Sequence, residues 1–391
     1  MEIKSSNDGK ILKLYFCGRV DSTNASEAET LADKICNEET YENIVLDFDD
    51  LEYISSAGLR IILKLKKASP DIKIINANNE VFEILEMTGF AEIIPVQKAY
   101  KKVSVKGCEC VGRGAKGAVY RLNGDTVVKV YFSSDSLAAI KNEHRLAKKA
   151  FVLGIPTAIS FDVVMADGKL GSMFELLDAK SFSQIVRENP ACAEDYANQM
   201  ADLLKTIHET IVGKDDMPDA NDYARKWLSA DEPYFTDEVN RKLKKLVDET
   251  PDTLNMLHMD FHSNNIMLQK GEALLIDMDT LSHGYKIFEL ANVYITYVAF
   301  GVVEPKIVEN FVGLDYETAK KMWYHFIRRY LGTEDEETVS DVENKVELMA
   351  LARLLRHTVK RDTTSDEAKK TIAYVQERVP YLLGKVDSLE F

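Results

Sequence analysis

His258-Met259-Asp260-Phe261-His262-Ser263-Asn264-Asn265, followed by Leu275-Ile276-Asp277-Met278-Asp279 with Asp277 twelve residues past Asn265, places hard oxygen ligands and a carboxylate base close together in the chain. Transfer of a phosphoryl group from ATP to a hydroxyl needs both. A carboxylate receives the hydroxyl proton, and oxygen ligands hold Mg²⁺ against the phosphates. The pattern H-x-D-x-x-x-x-N, then an apolar strand ending in Asp, offers Asp260 as the base and Asn265 and Asp277 as metal ligands. The plain alternative is a polar loop between two strands, with His258 and Asn265 bonded only to backbone.

The upstream sequence bears on that choice. Val111 to Tyr120 carries G-x-G-x-x-G-x-V with Gly112, Gly114 and Gly117. A lone glycine triplet also marks dinucleotide loops and ordinary turns. Here it lies between two candidate strands, and Asn123-Gly124 after the second is a hairpin signal, whereas a dinucleotide loop would open into a helix. The next strand, Thr126 to Tyr131, sets Lys129 in a β-branched run where a lysine would reach the α- and β-phosphates; a solvated lysine is the alternative. Glu143, on a helical stretch from Leu137 to Leu146, is its natural ion-pair partner, unless it is one more exposed helix glutamate. Lys106 and Lys116 read as solvent-facing charges.

Together these elements resemble the protein-kinase-like fold, and within it the aminoglycoside phosphotransferase and choline kinase branch, whose catalytic loop typically reads H-G-D-x-H-x-x-N. His262 fits that branch, while Met259 replaces its glycine. Asp277-Met278-Asp279 stands where protein kinases have D-F-G, and no A-P-E follows. Phe288 to Tyr294 resembles the branch's G-D-P-x-x-D-L-A element, with Glu289 for its aspartate. The resemblance implies a two-lobed enzyme that uses ATP and Mg²⁺, with backbone groups of Glu175 to Leu177 facing adenine. His208 reads as a packed helix-end histidine, and Trp323, Phe326 and Tyr330 as core. Asp315 and Gly332 bracket one helix, and Ser340-Asp341-Val342-Glu343 reads as a capping box opening another.

The first hundred residues change pattern. Strands are expected at Ile11–Phe16 and Ile44–Phe48, with helices at Ala25–Ile35, Ala57–Lys67 and Glu80–Thr88, the last stopped by Gly89. Leu51 to Arg60 and Val81 to Phe90 are similar to the STAS domain of anti-sigma factor antagonists. In those proteins the residue matching Ser56 is phosphorylated, and the change switches partner binding. A phosphate at a helix N-terminus meets free N–H groups and the positive end of the dipole. Equally, Ser55 or Ser56 is simply the N-cap. Ser55 replaces the usual aspartate before the acceptor.

The expected architecture is therefore a small STAS-like α/β domain over 1–97 and an α+β kinase-like domain over 98–391. The latter divides into a β-rich N-lobe of about 98–178 and a helical C-lobe of about 179–391. A net charge of −15 argues against nucleic acid or an anionic membrane as the main partner. Five cysteines without a C-x-x-C pair point to the reducing cytoplasm, and the apolar run near Val293–Val303 is too short to span a bilayer. Three functions remain: phosphoryl transfer to a small-molecule hydroxyl, serine/threonine phosphorylation of this or a partner STAS domain at Ser56, and non-catalytic nucleotide sensing. Oligomeric state and acceptor carry no sequence signature.

Overall fold

Strand Ile11–Val20 shows how the first domain is built. Leu12, Leu14 and Phe16 are buried while Ile11 and Lys13 face outward, the period-two pattern of a strand with one side on a core. The computed structural model describes residues 1–114, 116–132 and 137–391, which form two units, Met1–Val103 and Ser104–Phe391.

In the first unit the sheet runs Glu2–Asn7, Ile11–Val20, Asn43–Asp47, Lys73–Ala77, Val96–Lys98, with Leu51–Ile54 paired to the far end of Ile11–Val20. Its pairings are parallel except for the first, where Ile3 lies opposite Phe16 in antiparallel register. Helices Ala25–Glu38, Ser56–Ala68 and Asn79–Met87 bury Ala28, Ala32, Ile62, Leu65, Val81 and Leu85 in the same core. The expected α/β class is thus observed. Strand Glu2–Asn7 escapes a pattern search because it is an edge strand with one buried side chain, Ile3. Gly58 has a packing reason: a Cβ there would lie 2.6 Å from Ile54 Cγ1 and 2.9 Å from Val20 Cγ1.

In the second unit five antiparallel strands lie in the order Ser160–Ala166, Lys169–Glu175, Thr126–Tyr131, Gly117–Arg121, Cys110–Arg113. The central strand sets Lys129 opposite Val119 on one side and Ser172 on the other. A Cβ at Gly117 would run into the carbonyl oxygen of Val130, so the close approach of these two strands requires glycine. Helix Leu137–Val152 buries Ile140, Leu146, Ala147 and Ala150 and, on the same face, Glu143. A carboxylate there needs a partner.

The rest of the unit is helical apart from short hairpins such as Ile266–Gln269 with Glu272–Leu275. Its core includes Phe182, Leu204, Phe261, Phe288, Phe326, Leu351 and Leu355, each fully buried side chain worth about 1.5–3 kcal/mol. Helix Tyr316–Leu331 begins with Asp315 accepting from Thr318 N at 3.0 Å and ends at Gly332 with φ 72°. The capping box expected at Ser340–Glu343 is not one. That segment lies inside helix Glu336–Arg361, whose cap is Asp335, accepting from Thr338 N at 2.8 Å. An N-cap one and a half turns earlier let the helix run through Ser340, and Glu343 instead accepts from Trp323 Nε1 at 2.7 Å.

Candidate active site

Strand Thr126–Tyr131 carries Lys129 to the point where its side chain meets those of Glu143 and Asp277. Lys129 Nζ donates to Glu143 Oε1 at 2.8 Å and to Asp277 Oδ1 at 2.9 Å. The buried carboxylate of helix Leu137–Val152 thus has its cation. Tyr131, two residues on and on the same strand face, donates to Glu143 Oε2 at 2.7 Å and lies 3.2 Å from Ser172 Oγ. Burial pushes Lys129 toward losing its proton, but Glu143 and Asp277 outweigh it and hold the ammonium above its ordinary range. Burial likewise pushes Asp277 up, and Lys129 with Lys116 pulls it below the ordinary carboxylate value, so it stays ionised.

Asp277 has φ 64°, in the left-handed region, which turns its side chain out of the preceding strand end. Asp279 pairs with Lys116 across the glycine-rich hairpin. Lys116 faces solvent as its sequence suggested, its side chain 65 % exposed, and it also reaches Asp279. Glu143, Asp277 and Asp279 bring carboxylate oxygens within 4.8 Å of one another. Such hard oxygens suit a divalent cation like Mg²⁺. Asp279 and Tyr131 were not singled out from sequence, though the D-x-D spacing and the i, i+2 alternation from Lys129 were available signals.

The loop bearing Asp260 is fastened from below. Met259 also has positive φ, 65°, and its N–H donates to both oxygens of the fully buried Glu289 at 2.8 Å. Asn292 Nδ2 donates to Met259 O at 3.0 Å, and Thr280 Oγ1 to His258 O at 2.7 Å. Ser263 is locked by Tyr297, which donates to its Oγ at 2.7 Å and accepts from its N–H at 2.8 Å. Burial pushes Glu289 up, but His208, His258 and the Met259 N–H more than offset this and hold it ionised. His208 itself bonds Tyr330 Oη through Nδ1 at 2.7 Å, in keeping with a packed histidine.

Asn265 Nδ2 donates to Asp260 O at 2.9 Å and reaches Asp260 Oδ2 at 3.4 Å, which leaves Asn265 Oδ1 for another partner. His262 Nε2 is 3.7 Å from Asp260 Oδ1, and burial pushes the ring below its ordinary value, so it is neutral at pH 7. His258 is buried and accepts from Asp260 N at 3.3 Å, a bracing contact. At the proposed adenine segment, Glu175 N–H is spent on Ile159 O at 2.9 Å, while Leu177 lies just past the end of strand Lys169–Glu175. Gly112, Gly114 and Gly117 flank the turn between strands Cys110–Arg113 and Gly117–Arg121, with Gly114 N donating to Gly117 O at 2.9 Å. Ala115 lies outside the described residues.

In the first unit, helix Ser56–Ala68 is capped by Ser55, whose Oγ accepts from Gly58 N at 3.5 Å. Ser56 is exposed and has no capping role. Among the described residues no helix is long and apolar enough to cross a membrane, and the five cysteines are free.

Residues 108–313 match the family described as phosphotransferase enzyme family, and residues 2–105 match the STAS domain. The N-terminal part is 37 % identical over 84 residues to BtrV of Bordetella bronchiseptica, described as an anti-sigma factor antagonist, covering 20 % of this chain and 71 % of that protein. A mouse choline/ethanolamine kinase is 31 % identical over 100 residues, 24 % of this chain and a quarter (25 %) of that one. Among solved structures, ADP-bound aminoglycoside phosphotransferase APH(2'')-Ib aligns with TM-score 0.48 at 12 % identity, over 70 % of this chain and 93 % of its own. A choline/ethanolamine kinase family protein from Mesorhizobium loti aligns with TM-score 0.47 at 12 % identity, over 71 % and 91 %.

Proposed function

As a member of the phosphotransferase enzyme family with a STAS domain at its N-terminus, this chain, we propose, moves the γ-phosphoryl group of ATP to a hydroxyl of a small molecule. The observation that carries the proposal is the meeting of Lys129, Glu143 and Asp277 on one ammonium, beside the loop that presents Asp260. Lys129, fixed by Glu143, would neutralise the α- and β-phosphates, and the hairpin with Gly112, Gly114 and Gly117 would cover them. Leu177, with Glu175 before it, would offer backbone groups to adenine. Asp260 would orient the acceptor hydroxyl and take its proton. Asn265 and Asp277, joined by Asp279, would hold Mg²⁺, which when bound offsets negative charge on the phosphates.

The STAS unit would dock or regulate through a partner protein. Because Ser55 is the cap and Ser56 is exposed, Ser56 would be free to accept a phosphate, and a protein-kinase reading acting on this or a partner STAS domain follows from that observation. Incubation of the full chain with Mg²⁺, γ-labelled ATP and pooled small hydroxyl compounds separates the readings. Label in a small-molecule ester supports the proposal, and label on Ser56 supports the protein-kinase reading. Nucleotide binding without any turnover would leave only nucleotide sensing.

A further inference from the structure

Asp260 opens onto a cavity of about 210 Å³ on its helical side, below the roughly 300–1,000 Å³ of pockets for drug-sized ligands. Phe311 stands edge-on to Phe300 at 5.9 Å and to His262 at 5.1 Å, forming an aromatic wall. Ile295 and Thr296 of the wall belong to a π-helical turn, Ile295–Ala299, a backbone irregularity common at functional sites.

Two buried polar atoms beside this cavity are unspent. Asn292 commits its Nδ2 to Met259 O, and its Oδ1 is buried without a hydrogen-bond partner, as is His262 Nδ1. Arg353, on helix Glu336–Arg361, lines the cavity with its guanidinium carbon 5.3 Å from the centre of the Trp227 ring. Among the described residues it has neither a hydrogen-bonded nor an ion-paired carboxylate. Burial pushes the group down to about 10, only partly countered by Asp260 and Glu289. An arginine keeps its charge in proteins, so a half-buried fork of donors that lines the cavity with no carboxylate bonded to it suits an anion. Apart from Asp260, no carboxylate lines the cavity among the described residues. A cationic acceptor would face Arg353 with only Asp260 to balance it.

Granted the phosphotransferase reading, we infer that the acceptor is a small hydroxyl compound that also carries an oxyanion, a carboxylate or a phosphate, held by Arg353 while its hydroxyl faces Asp260. The hydroxyl proton passes to Asp260, the hydroxyl oxygen bonds the γ-phosphorus, and the bond from phosphorus to the bridging oxygen breaks, ADP keeping its electron pair. Asn292 Oδ1 accepts from a second hydroxyl of the same compound.

Trp227 beside Arg353 supplies a fluorescence reporter. The full chain, saturated with Mg²⁺ and ADP, is titrated at constant ionic strength with inorganic phosphate, with acetate and with tetramethylammonium. Phosphate or acetate should give a saturable change, the tighter of the two identifying the oxyanion, and tetramethylammonium none. Arg353→Met should weaken that binding by roughly tenfold or more, the size of one lost charge-assisted bond, and Arg353→Lys should recover part of it. Thermal unfolding shows whether each variant is folded, and Arg353→Lys decides if Arg353→Met is not. Unchanged affinity in the folded variants, or no saturation with either anion, overturns the inference. ADP binding in the same titrations separates the two levels: ADP bound without an oxyanion sinks this inference alone, whereas failure to bind ADP sinks the phosphotransferase reading.

Discussion

Glu289→Gln tests the device that holds Asp260. In the native chain the Met259 N–H donates to both Glu289 oxygens at 2.8 Å, while Met259 sits at φ 65°. A non-glycine residue in that region costs about 1–2 kcal/mol. A hydrogen bond to a charged group is worth about 1.5–3 kcal/mol, against about 0.5–1.5 for a neutral one. Glutamine therefore forfeits about 1–2 kcal/mol, the same size as the strain it must hold, and the loop relaxes. Displacing a reacting group by about 1 Å can cost on the order of 10² in rate. ATP turnover should therefore fall about 10- to 100-fold, with ADP affinity nearly unchanged because Lys129 and Asp277 are untouched. The pH dependence has a definite sign. Glu289 titrates below its ordinary 4.5 in the folded chain, so its contribution to stability is complete above that value and is lost as pH falls through the lower, folded one. The difference in urea stability between native chain and variant should be largest at neutral pH and shrink on acidification. A folded variant that turns over ATP within about twofold of the native rate would refute this positioning argument.

Lys129→Met should weaken ATP binding by roughly tenfold or more, as the phosphate cation is lost and Glu143 is left buried without it; calorimetric titration reads it. Asp277→Asn should lower nucleotide affinity chiefly when Mg²⁺ is present, and equal affinity with and without Mg²⁺ in both proteins would speak against the metal assignment. Ser56→Ala should cost well under about 1 kcal/mol, because the cap is Ser55, whereas Ser55→Ala should cost about 1 kcal/mol; denaturant midpoints compare them.

What was legible in the sequence was whatever the chain writes locally. H-x-D-x-x-x-x-N, the glycine hairpin and a lysine in a β-branched strand each lie within a dozen residues, and their joint order implied one fold. Glu143 was legible only as a partner by position; its burial and its second contact, from Tyr131, depend on how the helix packs. Arg353 could not be found, because it lies on a helix with little amphipathic pattern, buried on several sides, far downstream of Asp260. Lys116 faces solvent as expected, but its pairing with Asp279 was not legible, because exposure says nothing about a carboxylate folding back onto it. Ser340 misled because a capping-box pattern inside a long helix looks the same as one at its start, and Asp335 with Thr338 supplied the earlier start.

The central claim is that Asp260 serves as the base for phosphoryl transfer to a hydroxyl. Side-by-side ³¹P spectra of the native chain and Asp260→Asn, with Mg²⁺, ATP and pooled hydroxyl compounds, test it most directly when ADP affinity is measured on the same samples. The expected result is a new phosphate monoester formed by the native chain, its rate reduced about 10²- to 10⁴-fold in the variant, with ADP affinity unchanged. Equal ester formation by both proteins, or ATP and ADP binding with no transfer by the native chain, would contradict it.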